Sequence, residues 1–423
     1  MKKETVLWGL SEIPFTEKST FHLEGARINK VFTGREKELS QIETLLNSSE
    51  PKSIFILGYR GIGKTALIIQ ALSKARKQLK NVLIAYTILP EGYDLSTTAF
   101  IALALRMKFD PWVQHMLSNM GIPVYQTRET EMSVNLKWQG FGYSIKDTPA
   151  EINIKEKNMP FAFEELLELA YKKYKYEKVV IAIDDLDKKE PAKYRNMIRD
   201  AQGVLKSRAW FLLSGHPYYF KRDIITSELG ISDLVISLSP LSEETMHKML
   251  VNYLNSVRVF PIEQKIKLLI QKAFTSRGNF SESLNNSYKP FTIEAASELC
   301  KRSNGIPRHL NRIGMYVMME ASDSNAQIID HEILENGIAK MRKDIHSHGD
   351  LTQEDQYVLQ LILEKGELSD RTVTLNELSL LGLREFNQLF PILDKLVELD
   401  LLIRIPSEIE TKYIPSGLIY NKK

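Results

Sequence analysis

The sequence predicts an α/β protein built on a parallel sheet, and three observations carry that prediction. Residues 58–65 read Gly58-Tyr59-Arg60-Gly61-Ile62-Gly63-Lys64-Thr65, a Gly-x-x-x-x-Gly-Lys-Thr loop between an apolar run, Ser53–Leu57, and a helix-forming run that starts at Ala66. A second apolar run, Val179–Ile183, ends in Asp184-Asp185-Leu186-Asp187, so acids fall where the carboxyl edge of a sheet is expected. Up to about residue 240, short apolar runs alternate with helical spacing, the rhythm of strands joined by crossover helices.

A chain of 423 residues, 43% hydrophobic and 26% charged, has room for two or three domains and reads as an ordinary soluble globular protein. The start, Met1-Lys2-Lys3, leads into a short apolar run broken at Ser11-Glu12, which does not read as a signal peptide. No apolar stretch approaches membrane-spanning length, so a cytoplasmic protein without membrane insertion is expected. Cys300 is the single cysteine, which excludes an internal disulfide and a cysteine-cluster metal site and leaves a small core residue. The net charge of +3 is too slight to announce nucleic acid, but it is uneven. Residues 351–423 hold 8 basic and 12 acidic side chains, net −4, against +7 for the first 350 residues.

In chain order, residues 1–30 read as an N-terminal arm, and residues 31–240 as the α/β nucleotide-binding core. Leu39, Ile42, Leu45 and Leu46 recur at helical spacing before the Ser53–Leu57 strand. Asn81–Tyr86 is a second strand, followed by a helix over Ala99–Met107. Residues 132–145 alternate around Gly140-Phe141-Gly142, which predicts a β-hairpin inserted near 130–147. A helix over Phe161–Tyr174 leads to the Val179 strand, and Trp210–Leu213 and Leu234–Leu238 supply two more strands, the first ending in Ser214-Gly215-His216. Residues 241–345 read as helices only, over Glu243–Asn255, Ile262–Phe274, Ile293–Arg302, Arg308–Glu320 and His331–Arg342, and so as a separate helical lid. His346–Asp350 reads as a linker, its two histidines lacking the carboxylate or cysteine company of a metal site. Residues 350–423 give helices over Glu354–Leu363, Leu375–Leu381 and Leu383–Asp400, the last with Phe386, Leu389, Leu393 and Leu396 on one face. Two short strands, Leu401–Ile405 and Lys412–Pro415, follow, and the whole reads as a winged helix-turn-helix.

The chemistry implied by the loop is phosphate binding. Glycines let the N–H groups of Gly58, Tyr59, Arg60, Gly61, Ile62 and Gly63 turn inward, and Lys64 and Thr65 lead to Ala66 and the helix whose N-terminus favours an anion. Lys64 adds a cation near the β/γ oxygens, and the Thr65 hydroxyl suits Mg²⁺, so ATP and Mg²⁺ are the expected cofactors. Asp184 is the candidate to hold the Mg²⁺ hydration shell, and Asp185 the candidate to orient or deprotonate the attacking water.

Over nearly its whole length this arrangement resembles the AAA+ P-loop ATPases of the initiator, transposition-regulator and secretion-ATPase branch, with the STAND NTPases close behind. Phe32-Thr33-Gly34-Arg35-Glu36-Lys37-Glu38-Leu39 is similar to their entry motif, Gly58–Thr65 to Walker A and Ile181–Asp187 to Walker B. The resemblance implies a P-loop NTPase core with a helical lid and a C-terminal winged helix. It implies that Ser214 is the sensor 1 residue facing the γ-phosphate or attacking water, and that Pro307 and Arg308, within Asn304–Arg312, open a sensor 2 helix whose arginine reaches that phosphate. It further implies an ATPase that works as a homo-oligomer or with a partner protein, with double-stranded DNA as one candidate partner.

Two features depart from the family pattern. Asp185 stands where many AAA+ motors have Glu, a methylene shorter, which fits slow or regulated hydrolysis. No Ser-Arg pair precedes the last strand, which leaves Arg222 as the substitute arginine finger. Two readings of function follow. One is assembly on DNA in the manner of initiators and transposition regulators, with basic stretches Lys74–Lys77 and Tyr171–Tyr176 in support. The other is a STAND-like signalling or anti-phage switch with the winged helix as a protein-interaction module, favoured by the acidic C-terminal region. A small-molecule kinase sharing only the loop fits poorly with a helical lid bearing Arg308.

Overall fold

The computed structural model describes residues 8–16, 31–90, 92–122, 159–186, 191–216, 232–259, 288–348, 351–369, 371–399, 401–406 and 411–416. The hairpin expected near 130–147, the helix expected over Ile262–Phe274, Asp187 and Arg222 lie outside the described residues. The chain forms two compact units, Lys18–Ser239 and a second made of Met1–Glu17 with Pro240–Lys423. Among the described residues no helix is long and apolar enough to cross a membrane.

The first unit alternates as expected, with α1 (Glu36–Leu46), β1 (Ser53–Leu57), α2 (Lys64–Gln78), β2 (Val82–Ile88), α3 (Leu95–Arg106), α4 (Pro111–Asn119), α5 (Met159–Glu168), β3 (Lys178–Asp184), α6 (Pro191–Asp200), α7 (Gln202–Leu205), β4 (Trp210–Gly215) and β5 (Leu234–Ser237). The five strands pair in parallel in the order β2-β3-β4-β1-β5. The β1 and β4 side chains are all buried, as expected where helices cover both faces of a parallel sheet. Phe55, Phe100, Phe163 and Phe211 fill the space between sheet and helices at 1% exposure or less.

The strand order decides where the chemistry falls. β4 lies between β1 and β3, Leu57 stands opposite Gly215, and Ile183 stands opposite Leu213. The loop after β1, Ser214 near the end of β4 and Asp184 at the end of β3 therefore emerge side by side at the carboxyl edge.

Several elements differ from the sequence reading. α3 starts four residues before Ala99 because Asp94 caps it, its side chain accepting from Thr97 N at 2.8 Å. α4 begins at Pro111 behind the Asp110 cap, a helix the periodicity did not announce. α5 closes in a π-helical turn, Leu169–Lys173, which buries Ala170 and lets Lys172 reach Glu168 and Lys173 reach Asp110.

The second unit contains α8 (Glu243–Val257), α9 (Ile293–Arg302), α10 (Pro307–Asp323), α11 (His331–His348), α12 (Gln353–Lys365), α13 (Leu375–Leu380) and α14 (Phe390–Glu398), then the antiparallel pair β6 (Leu402–Pro406) and β7 (Thr411–Pro415). Residues 8–16, read as part of an arm before the core, pack here instead. Trp8, Leu10 and Phe15 are buried, Trp8 Nε1 donates to Ala326 O at 3.0 Å, and Ser11 N donates to Val257 O at 2.8 Å. Gly314 makes room for the Phe15 ring, which would lie 2.7 Å from a Cβ there. α11 continues through His348, so His346 and His348 sit in a helix and not in the expected linker.

The expected third C-terminal helix is two pieces. Phe386–Leu389 is a 3₁₀ turn and α14 starts at Phe390, because Pro391 lacks an N–H and suits a first helical turn. Leu389, Leu393 and Leu396 are buried and Phe386 is half-buried. The N-terminus of α12 is tied to α14. Thr352 and Asp355 form a reciprocal cap, and Lys395 donates to the Asp355 carboxylate.

Burial opposes the charge on Asp355, yet the Lys395 ammonium and the Thr352 N–H outweigh it and hold the carboxyl below its usual range. A depressed acid stabilises the fold above its unfolded pKa, and the contribution is lost as pH falls through the lower folded value. Lys395→Met should therefore lower hydrogen-exchange protection of residues 353–365 and 390–398 by about 1–2 kcal/mol at pH 7, and the gap to wild type should close below about pH 4.

Candidate functional site

The phosphate loop is shaped by sterics at its glycines. A Cβ on Gly58 would meet Ile62 Cγ2 at 2.6 Å and Leu238 Cβ at 3.3 Å, so a side chain there would force the loop open. Gly58 N donates to Gly215 O at 3.1 Å, fastening the start of the loop to β4. Gly61 and Gly63 take φ of 78° and 104°, left-handed values that turn the backbone into α2. The first turn of α2, at Lys64, Thr65 and Ala66, presents N–H groups with no acceptor inside the helix, the arrangement that receives an anion. Lys64 is 6% exposed, and its ammonium donates to Gly58 O at 2.7 Å and Tyr59 O at 3.4 Å. Tyr59 packs edge-on against His216, with centroids 4.9 Å apart, and Arg60 is exposed.

Asp184, 1% exposed, is the hub of the site. Its Oδ2 accepts from Thr65 Oγ1 at 2.6 Å and from Tyr86 OH at 3.0 Å. Its Oδ1 accepts from Ser214 Oγ and from Asp185 N, the latter at 3.1 Å, and Asp185 N also reaches Ser214 Oγ at 3.2 Å. Ser214 is fully buried and its hydroxyl donates to Asp184. Asp185 is half-buried with φ of 54°, a left-handed conformation that Asp and Asn adopt more readily than most side chains. Thr65 and Asp184 make an oxygen-only pair of the kind a hard divalent cation takes. Among the described residues no cluster of three or more His, Cys, Asp or Glu offers another metal site.

The structure adds two residues that sequence reasoning did not assign. Tyr86 faces Asp184 from β2, and burial, followed by the negative charge of Asp184, pushes its ionisation far above the usual phenol range. Arg35, 5% exposed, donates from Nη2 to Ser239 O at 2.5 Å and to Ile62 O at 3.4 Å, and from Nη1 to Glu38 Oε1 at 3.3 Å. It thus ties the tip of the phosphate loop to the segment after β5, and burial lowers its pKa. Its signal was visible as Gly34-Arg35 before a helix: Gly34 has φ of 82°, and its N–H is taken by Glu36 at 3.0 Å.

Within the first unit, Gly58–Ala66, Asp184, Asp185 and Ser214 converge on one sheet edge. Pro307 and Arg308 belong to the second unit. Pro307 takes the first position of α10, and Arg308 follows it half-buried. The turn before them needs Gly305, whose Cβ would lie 2.2 Å from Leu241 O.

Residues 31–208 match the sequence model of the family described as AAA ATPase domain. That stretch runs from before α1 to just short of β4, so it includes the loop and Asp184 but not Ser214. No curated protein matches the sequence. Among solved structures, the chain is similar to the Orc1 protein of Aeropyrum pernix in complex with DNA, at 12% identity over 92% of each chain with a TM-score of 0.44. It is similar to Cdc6p of Pyrobaculum aerophilum, at 13% identity over 97% of this chain and 93% of that one, TM-score 0.41. It is also similar to the RuvB Holliday junction branch migration motor of Thermotoga maritima, at 15% identity over 93% of this chain and 97% of that one, TM-score 0.41.

Arg35→Lys keeps the charge but loses the planar fork that holds the Glu38 carboxylate on Nη1 and the Ile62 and Ser239 carbonyls on Nη2. The loop tip should loosen, and affinity for a fluorescent nucleotide should fall about tenfold in a direct titration, the equivalent of roughly 1.4 kcal/mol.

Proposed function

We propose that this chain binds ATP with Mg²⁺ at the phosphate loop, hydrolyses it, and uses the bound nucleotide to control its assembly with other copies or other macromolecules. The observation that carries this reading is the meeting of Lys64, Thr65, Asp184 and Asp185 at the edge formed by β1, β4 and β3, with Thr65 2.6 Å from Asp184. The loop N–H groups and the start of α2 would receive the phosphates, and Lys64 would exchange its loop carbonyls for phosphate oxygens. Thr65 would ligate the cation while Asp184 accepts from its hydration shell; the cation supplies charge neutralisation on the phosphates. Asp185 would take up a proton from the attacking water, and Ser214 would hold Asp184 and the backbone of Asp185 in place. The α8–α11 region would serve as a lid, with Arg308 turned to the γ-phosphate. The three α-helices, the 3₁₀ turn and the hairpin of residues 351–416 would form a winged helix.

A second reading concerns the partner. Three of the six cations in the basic stretches that pointed to DNA are ion-paired: Lys74 with Glu43, Lys172 with Glu168 and Lys173 with Asp110. In the C-terminal region Lys395 is paired with Asp355, and Arg404 lies 3.7 Å from Asp394. Paired cations neutralise fewer phosphates, so a protein partner is favoured over DNA.

Lys64→Ala should abolish ATP binding, whereas Asp185→Asn should bind normally and turn over at least about tenfold more slowly. Asn tolerates the left-handed backbone at 185, so this variant removes the charge without straining the chain. Nucleotide titration and phosphate release decide the matter, with particle size followed in the same samples with and without double-stranded DNA. Parental turnover by Asp185→Asn would remove Asp185 as the base, and ATP-dependent growth that requires DNA would restore the DNA reading.

Arg308→Ala should narrow the ATP-to-ADP affinity ratio about tenfold, because only ATP offers a γ-phosphate to pair with. One charge-assisted contact corresponds to roughly 1.5–3 kcal/mol. An unchanged ratio in paired titrations would remove Arg308 from the site.

A further inference from the structure

A carboxylate offers about four lone-pair directions. Asp184 uses all of them on the protein itself: Thr65 Oγ1 and Tyr86 OH on Oδ2, Ser214 Oγ and Asp185 N on Oδ1. A hydrated cation brought to Thr65 needs an acceptor for its water, so one of the four donors must yield. Asp185 N is main chain and is shared with Ser214 Oγ, which itself lies fully buried in β4. Thr65 can turn an oxygen lone pair to a cation and still donate its proton to Asp184. The remaining donor is Tyr86, which reaches Oδ2 from the neighbouring strand β2 through a C–O bond about which its proton turns freely.

We propose that the Tyr86 hydroxyl is a placeholder for the hydration shell of the divalent cation, occupying Asp184 Oδ2 in the metal-free site and giving it up when Mg²⁺ arrives with nucleotide. Tyr86 is therefore a positioning residue that sets how much Mg²⁺ nucleotide binding requires. One further fact agrees: Tyr86 is 3% exposed, so bulk water does not compete with Asp184 for its hydroxyl.

This inference rests on the reading that Mg²⁺ and nucleotide meet at the phosphate loop, and the experiment separates the two. Binding of a fluorescent ADP to the full chain is titrated with Mg²⁺, and again in EDTA, for wild type, Tyr86→Phe and Lys64→Ala. If wild-type binding ignores Mg²⁺, or Lys64→Ala binds as wild type does, the site reading itself fails. If that reading stands, Tyr86→Phe should reach half-saturation at roughly three- to tenfold lower Mg²⁺ than wild type, the effect of removing one competing hydrogen bond, with binding in EDTA unchanged. An equal or higher Mg²⁺ requirement overturns the placeholder role.

A merely structural Tyr86 would weaken binding in EDTA as well, which also overturns it. Should Tyr86→Phe fail to fold, 3-fluorotyrosine at position 86 keeps the hydroxyl and reports on it directly. Its ¹⁹F resonance should move when Mg²⁺ is added to the ADP complex, and an unmoved resonance refutes the proposal.

Discussion

The first unit depends on one buried carboxylate being satisfied from several directions at once. Asp184 at 1% exposure would be costly to bury without partners, since a carboxylate taken out of water must have its hydrogen bonds replaced. Its donors come from α2, β2, β4 and its own neighbour in the chain, so their convergence requires that the three elements hold their registers around β3. Strand order supplies this: β3 has β2 on one side and β4 on the other, with Ile88 opposite Asp184 and Ile183 opposite Leu213. A slip of one residue on either side would turn Tyr86 or Ser214 to the opposite face of the sheet and leave the carboxylate short of a donor.

The same logic holds the phosphate loop. Its start is pinned to β4 by Gly58 N on Gly215 O, its tip to the segment after β5 by Arg35, and its end to β3 by Thr65 on Asp184. Three anchors on three different elements fix a loop whose glycines contribute no packing of their own. The backbone N–H groups are then preset for an anion, which lowers the ordering cost of binding one.

What the sequence revealed and what it hid follow from the range of the interactions. The β1 strand, the loop and the helix after it are local, so Ser53–Leu57 was read with the bounds the structure has. The β3 strand and its terminal acid were legible for the same reason. Tyr86 was not, because its partner lies 98 residues away and the meeting depends on strand order, which no local pattern encodes. Arg35 sat in plain view, yet its carbonyl partners are 27 and 204 residues distant. In the second unit, Leu389, Leu393 and Leu396 were read correctly as one apolar face, but the break at Pro391 was missed because periodicity outweighed a residue that cannot donate. The placement of Trp8, Leu10 and Phe15 was hidden too, since partners as distant in the chain as Tyr253 for Phe15 and Ala326 for Trp8 leave no trace in a short N-terminal window.

Position 185 shows backbone and chemistry constraining one another. At φ of 54° the chain leaves β3 in a left-handed turn, and the Asp185 N–H at the start of that turn donates to both Asp184 Oδ1 and Ser214 Oγ. Asp and Asn enter that region at lower cost than longer side chains, because their short polar groups bond locally. A Glu at 185 would extend the reach of the carboxylate by one methylene, but it would occupy the turn less readily. The shorter acid is thus the residue the local backbone favours at the point where the main-chain N–H completes the hydrogen bonding of the Asp184 carboxylate.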